Sequence, residues 1–150
     1  MIPLPDPFAD THFTMANHKV LRIGTLKEFD VYVQDKPGEL AKVCEIFGNN
    51  GVNIKAISSE RSGQKPIIRV VTDDETTASS ALERSGISYD LREVLSIRIP
   101  DRPGELGRTA RKLARAMVNV DSIYILGKDD GMTEMAFTVD NLRKAEQALR

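Results

Sequence analysis

The hexapeptide DKPGEL at residues 35–40 returns as DRPGEL at residues 101–106, with Arg102 in place of Lys36. A repeat of this kind constrains the fold more than any bulk property of the chain. Laid over 101–120, residues 35–54 align without a gap and agree at seven of twenty positions. With one inserted residue, 66–82 then fall over 133–149, so that Val70 meets Phe137, Asp73 meets Asp140, Ala78 meets Ala145 and Leu82 meets Leu149. Two copies of one unit of about 65 residues account for the pattern.

Each copy alternates its hydrophobic period. FDVYV (29–33) and LSIRI (95–99) place apolar residues at period two, as half-buried strands do. After each PGEL the period becomes helical, with Leu40, Val43, Cys44 and Phe47 in one stripe and Leu106, Ala110, Leu113 and Met117 in the other. Asn49, Asn50 and Gly51 stop the first helix, and Met117 stands where the second would have that glycine. Two strand-like runs around SGQK and around KDDG follow, then alanine-rich helices over 74–85 and 141–149 with Asp73 and Asp140 as expected N-caps. ISYDLREV (87–94) supplies a further strand running straight into LSIRI.

The expected fold class is α+β. Two tandem ferredoxin-like βαββαβ units carry their helices on one face of antiparallel sheets, and the second unit lacks its last strand. The expected organisation is a partly disordered lead-in over 1–26, a first domain over 27–94 and a second over 95–150. The truncation leaves LSIRI with an open side, and open edges attract partners. KVLRIG (19–24) is a candidate to fill it, in the same chain or from a neighbouring molecule. Met15 is a second candidate start.

Composition narrows the function. A net charge of −1 gives no field favouring nucleic acid or anionic membrane. RTARKLAR (108–115) reads as a solvated helix face. The single cysteine, Cys44, excludes an internal disulfide framework and a cysteine zinc site, and fits a cytoplasmic setting. The opening residues lack the basic and apolar regions of a signal peptide, and no apolar run is long enough to span a bilayer. His12 and His18 have no metal or triad spacing. Paired catalytic carboxylates, a triad, a phosphate loop and a metal cluster are all missing, so no enzymatic activity and no cofactor are expected.

The repeated D-K/R-P-G-E-L after an apolar strand, V-N-I/V a dozen residues later, and the βαββαβ order resemble the ACT domain, a family of small ligand-sensing domains that regulates amino-acid metabolism. The resemblance covers roughly 28–149, with two copies and no catalytic domain, as in stand-alone tandem ACT proteins. It implies side-by-side pairing of domains, a homodimer or higher homo-oligomer, and a free amino acid bound between paired domains. Carried over by motif, the binding residues are Asp35, Gly38 and Asn53 in the first copy and Asp101, Gly104 and Asn119 in the second. Serine-sensing members have Asn at the positions of Asp35 and Asp101 and His at those of Val33 and Ile99, so serine itself is not carried over.

These residue types suit a zwitterion. A helix start offers unpaired N–H groups and positive potential to a carboxylate. Glycine lets a ligand approach the backbone, aspartate can take an ammonium, and asparagine offers both donor and acceptor. The same string also reads as a plain helix start, with Asp35 and Asp101 as N-caps, Pro37 and Pro103 in the first turn and Glu39 and Glu105 at its positive end. The implied function is an amino-acid-binding regulatory protein that modulates a partner or its own assembly. The alternative is a non-catalytic regulatory subunit of an amino-acid biosynthetic enzyme, similar to the small subunit of acetolactate synthase.

Overall fold

The computed structural model describes residues 23–62 and 65–150; residues 1–22 of the expected lead-in, with 19–22 of KVLRIG, lie outside the described residues, while 23–26 are not lead-in but the start of the first strand. The elements are β1 (Ile23–Tyr32), α1 (Glu39–Asn49), β2 (Ile54–Ser62), β3 (Lys65–Thr72), α2 (Glu75–Arg84), β4 (Tyr89–Pro100), α3 (Glu105–Arg115), β5 (Val120–Asp129), β6 (Met132–Val139) and α4 (Leu142–Leu149). The class is α+β with a ferredoxin-like arrangement. The six strands form one antiparallel sheet in the order β2-β3-β1-β4-β6-β5.

One sheet arises because its two central strands are long. β4 pairs with β1 from Tyr89 to Ile97 and with β6 from Leu95 to Pro100, without a break at residue 94. β1 likewise reaches past its pairing with β3, so that Ile23, Gly24 and Thr25 lie opposite Ile97, Ser96 and Leu95 of the same chain. LSIRI therefore has β6 on one side and the start of β1 on the other.

Strand alternation sends odd-numbered residues of β1 and β4 to the helical face. Phe29 and Val31 join Val43, Phe47, Ile68, Val70, Ala78 and Leu82 in one apolar cluster. Leu95, Ile97 and Ile99 join Leu113, Met135, Phe137 and Ala145 in a second. The first is aromatic: the Phe29 ring lies 6.3 Å from Phe47 and 5.5 Å from Tyr89. The opposite face is also buried, although none of the four described helices covers it. Edge strands β2 and β5 curve toward each other across it, enclosing Glu28, Asp30, Val94 and Ser96.

Several local expectations change. In the helical stripes Val43, Phe47 and Leu113 are buried, but Leu40, Leu106, Ala110 and Met117 are exposed and Cys44 is half-buried. The motif glutamates take the inner position: Glu39 is 9% exposed and Glu105 1%. Both helices begin one residue after a glycine in a left-handed conformation, Gly38 at φ 92° and Gly104 at φ 91°, with no side-chain cap. Asp35 and Asp101 thus do not cap, and Pro37 and Pro103 lie before the helix, because positive φ at the glycine turns the chain into it. The later helices are capped one residue beyond the expected position, by Asp74 and Asn141. Asp73 and Asp140 instead accept from the backbone N–H of Asn53 at 2.9 Å and of Asn119 at 3.0 Å.

Candidate functional site

The loop between β1 and α1 closes one concave site together with β2. Its lining includes Asp35, Lys36, Leu40, Ser59 and Arg61, and its volume is about 330 Å³. Arg61 Nη2 donates to Asp35 Oδ1 at 2.6 Å. A matching site, about 120 Å³, lies between the β4–α3 loop and β5, lined by Asp101, Arg102, Leu106, Ile125 and Lys128. There Lys128 Nζ donates to Asp101 Oδ1 at 3.1 Å, and the Asp101 backbone N–H donates to Gly131 O at 2.8 Å. The Lys128 hydrogen bond holds the Asp101 carboxyl below its ordinary pKa.

Each site therefore presents an exposed aspartate–cation ion pair beside a helix start. Both ion pairs are exposed, so little free energy holds them closed against a competing ligand. The motif leucines Leu40 and Leu106 and the buried glutamates Glu39 and Glu105 all line these concavities. Glu105 Oε1 accepts from Arg102 Nε at 2.8 Å and from Arg108 Nη1 at 3.0 Å. Lys36 reaches Glu39 at 3.7 Å.

The structure places Asp35 with Gly38 in one loop and Asp101 with Gly104 in the other. A Cβ built on either glycine meets nothing within 4 Å, so the backbone turn is what requires glycine there. Asn53 and Asn119 are not brought to these loops within the chain. Each precedes its edge strand, at the end opposite Arg61 and Lys128, and exchanges backbone hydrogen bonds with Asp73 or Asp140. Sequence reasoning missed Arg61 and Lys128. The available signal was a basic residue at the same place in both hairpins once the one-residue insertion is allowed. Among the described residues no cluster of three or more His, Cys, Asp or Glu is placed to hold a metal ion, and no helix is long and apolar enough to cross a membrane.

The βαββα run that carries the larger site matches a known family over residues 27–84. The family model is that of the ACT domain. The larger site thus lies within the matched residues, between their first loop and their second strand. Among solved structures, the chain is similar to protein BT0572 from Bacteroides thetaiotaomicron, at 20% identity and TM-score 0.77, covering 85% of this chain and 88% of that one. It is also similar to the regulatory subunit of aspartate kinase from Thermus thermophilus (20% identity, TM-score 0.60, 87% and 92% covered) and to that from Thermus flavus (18%, 0.58, 86% and 92%). At these identities the likeness is one of fold. No match is found among curated proteins.

Proposed function

We propose that the protein is an amino-acid-sensing regulatory protein, built from the ACT domain and a second, ACT-like unit that shares its sheet. The observation that carries this reading is the carboxylate–cation pair set beside a helix start in each loop–strand cleft. A free amino acid is itself a carboxylate and an ammonium a few ångströms apart. Arg61 or Lys128 would receive the first and Asp35 or Asp101 the second, in exchange for an exposed ion pair of small net value. Gly38 and Gly104 shape the loops, and Asn53 and Asn119 would approach a ligand only from a neighbouring chain. Self-association is accordingly part of the reading, and a strict monomer by light scattering would count against it.

The regulatory subunits of aspartate kinase from Thermus species support a second reading, in which the protein acts as a non-catalytic subunit of an amino-acid biosynthetic enzyme. The chain spans 92% of either subunit. Under both readings the protein senses or transmits and does not catalyse, in a cytoplasmic setting.

Thermal unfolding against the twenty amino acids at about 10 mM tests the sensor reading. A ligand with a dissociation constant near 0.1 mM would stabilise the fold by about 2.7 kcal/mol, which raises Tm by roughly 5–10 °C at this size. Asp35→Ala and Arg61→Ala should abolish the shift if the larger site binds, and Asp101→Ala and Lys128→Ala if the smaller one does. Variants at the glycines would add backbone strain of their own. A flat response to every amino acid would sink the sensor reading and leave the subunit reading.

A further inference from the structure

The face of the sheet turned away from the helices holds a buried cluster of charged groups that the proposed sites do not use. Glu28 and Asp30 are successive inward residues of β1, 0% and 6% exposed. Glu28 Oε2 accepts a hydrogen bond from Tyr124 of β5. Asp30 shares this buried face with Glu28, and Glu28 Oε1 and Asp30 Oδ1 find no donor among the described residues. Carboxylates alone cannot bond each other; one proton on Asp30 would satisfy both oxygens.

Burial and Glu28 favour that proton, and the two nearby arginines oppose it only in part because other carboxylates share them. Arg69 of β3 lies 3.9 Å from Asp30 but is held by Glu60 of β2 at 2.7 Å, and Arg92 of β4 lies 3.8 Å from Asp30 and 3.9 Å from Asp121 of β5. Four carboxyl groups, those of Glu28, Asp30, Glu60 and Asp121, thus surround two guanidinium groups, and a fifth, Asp90 of β4, stands opposite Asp30 and accepts from the Tyr32 hydroxyl. From β6, Thr138 accepts from Ser122 at 2.8 Å and Glu134 accepts from Ser96 at 3.3 Å. The phenol of Tyr124 is pushed upward by burial and by Glu28, so it stays protonated as a donor.

We propose that a single proton on Asp30, beside the buried Glu28 carboxyl, is a latch that keeps edge strand β5 closed over the inner face of the sheet, and that its loss loosens β5. β5 reaches across that face through Tyr124 to Glu28 and through Ser122, whose Oγ is 3.5 Å from Arg69. Two adjacent carboxylates in a space of low dielectric repel strongly, and lifting β5 relieves this by admitting water. Burial, then Glu28, pushes the Asp30 carboxyl up to about 7 from an ordinary 3.8. The closed form therefore holds a proton that the open form releases between those values. Closure weakens as pH rises across that window, by about tenfold per pH unit, and is level above it.

Carboxyl carbon NMR and amide exchange on the intact chain test the latch. Asp30 should titrate near pH 7 in the wild type, and a midpoint near 4 would overturn the proposal. Exchange of β5 amides, corrected for intrinsic rates, should accelerate about tenfold per pH unit from pH 5 to 6.5 and level off above 7. β3 amides should not follow; the same slope in β3 would show that the proton governs the whole fold and would overturn the latch. Asp30→Asn keeps the donor without the titration and should leave β5 protection flat with pH, whereas an unchanged slope would overturn the assignment. If Asp30→Asn does not fold, the wild-type titration decides alone.

Discussion

At the end of α1 the chain turns through Gly51 at φ 71°, and at the matching end of α3 it turns through Met117 at φ 59°. The same backbone path is followed once by the residue that adopts it freely and once by one that does not. Other pairs behave alike. Phe29 and Phe47 fill the first core where Leu95 and Leu113 fill the second, and Arg61 answers Asp35 where Lys128 answers Asp101. The motif glutamate is clamped by two arginines in the second half and approached by one lysine, at 3.7 Å, in the first. The pattern of burial and turn is common to the halves, and the residues that meet it are not.

Truncation of the two cores puts the largest strain on this comparison. Phe47→Ala should cost about 3–5 kcal/mol and Leu113→Ala about 2–5, since each removes a wholly buried side chain. The aromatic core should lose more, because Phe47 also meets the Phe29 ring. β4 belongs to both clusters, through Tyr89 at one end and Leu95, Ile97 and Ile99 at the other. Calorimetry should accordingly show a single transition in both variants, lowered by roughly 2–4 °C per kcal/mol. Two separated transitions in either variant would mean that the halves melt independently despite the shared strand.

The glutamates give a smaller contrast. Glu105→Ala removes two charge-assisted hydrogen bonds to a buried carboxylate and should cost about 2–3 kcal/mol. Glu39→Ala gives up only a longer contact with an exposed lysine and should cost less than about 1 kcal/mol. Equal costs in urea denaturation would show that burial of the glutamate stem, common to both, matters more than the arginine clamp.

That contrast marks where the sequence stops being informative. The element order, the strand faces of Phe29, Val31, Leu95 and Ile97, and the hairpins were legible, because period and repeat report local geometry directly. PGEL was misread in detail: a leucine at the start of a helix is expected inside, yet the glycine turn rotates Glu39 and Glu105 inward and sets Leu40 and Leu106 over the clefts. Glu28 and Asp30 look like the solvent side of a strand; only the curl of the sheet, which brings Tyr124 to Glu28 across 96 residues, buries them. Arg61 and Lys128 were legible only as a basic residue repeated in both hairpins; that each hairpin lies over its loop's aspartate is a tertiary fact the chain does not carry locally.

The turn residues offer the finest test. Met117 is 81% exposed, so replacing it removes almost no packing. What changes is the strain of a left-handed conformation, about 1–2 kcal/mol for a residue with a Cβ, against the extra chain entropy that glycine loses on folding, about 0.5–1 kcal/mol. Met117→Gly should therefore stabilise the protein by about 0.5–1 kcal/mol, visible as a higher urea midpoint at unchanged slope. The reciprocal change, Gly51→Ala, should destabilise by a similar amount, since a Cβ there meets nothing within 4 Å and only the dihedral objects. If Met117→Gly is neutral or destabilising while Gly51→Ala still costs, the methionine must gain something from its exposed position. An apolar side chain held in the open against backbone strain would then be the first place to look for a contact with a second molecule.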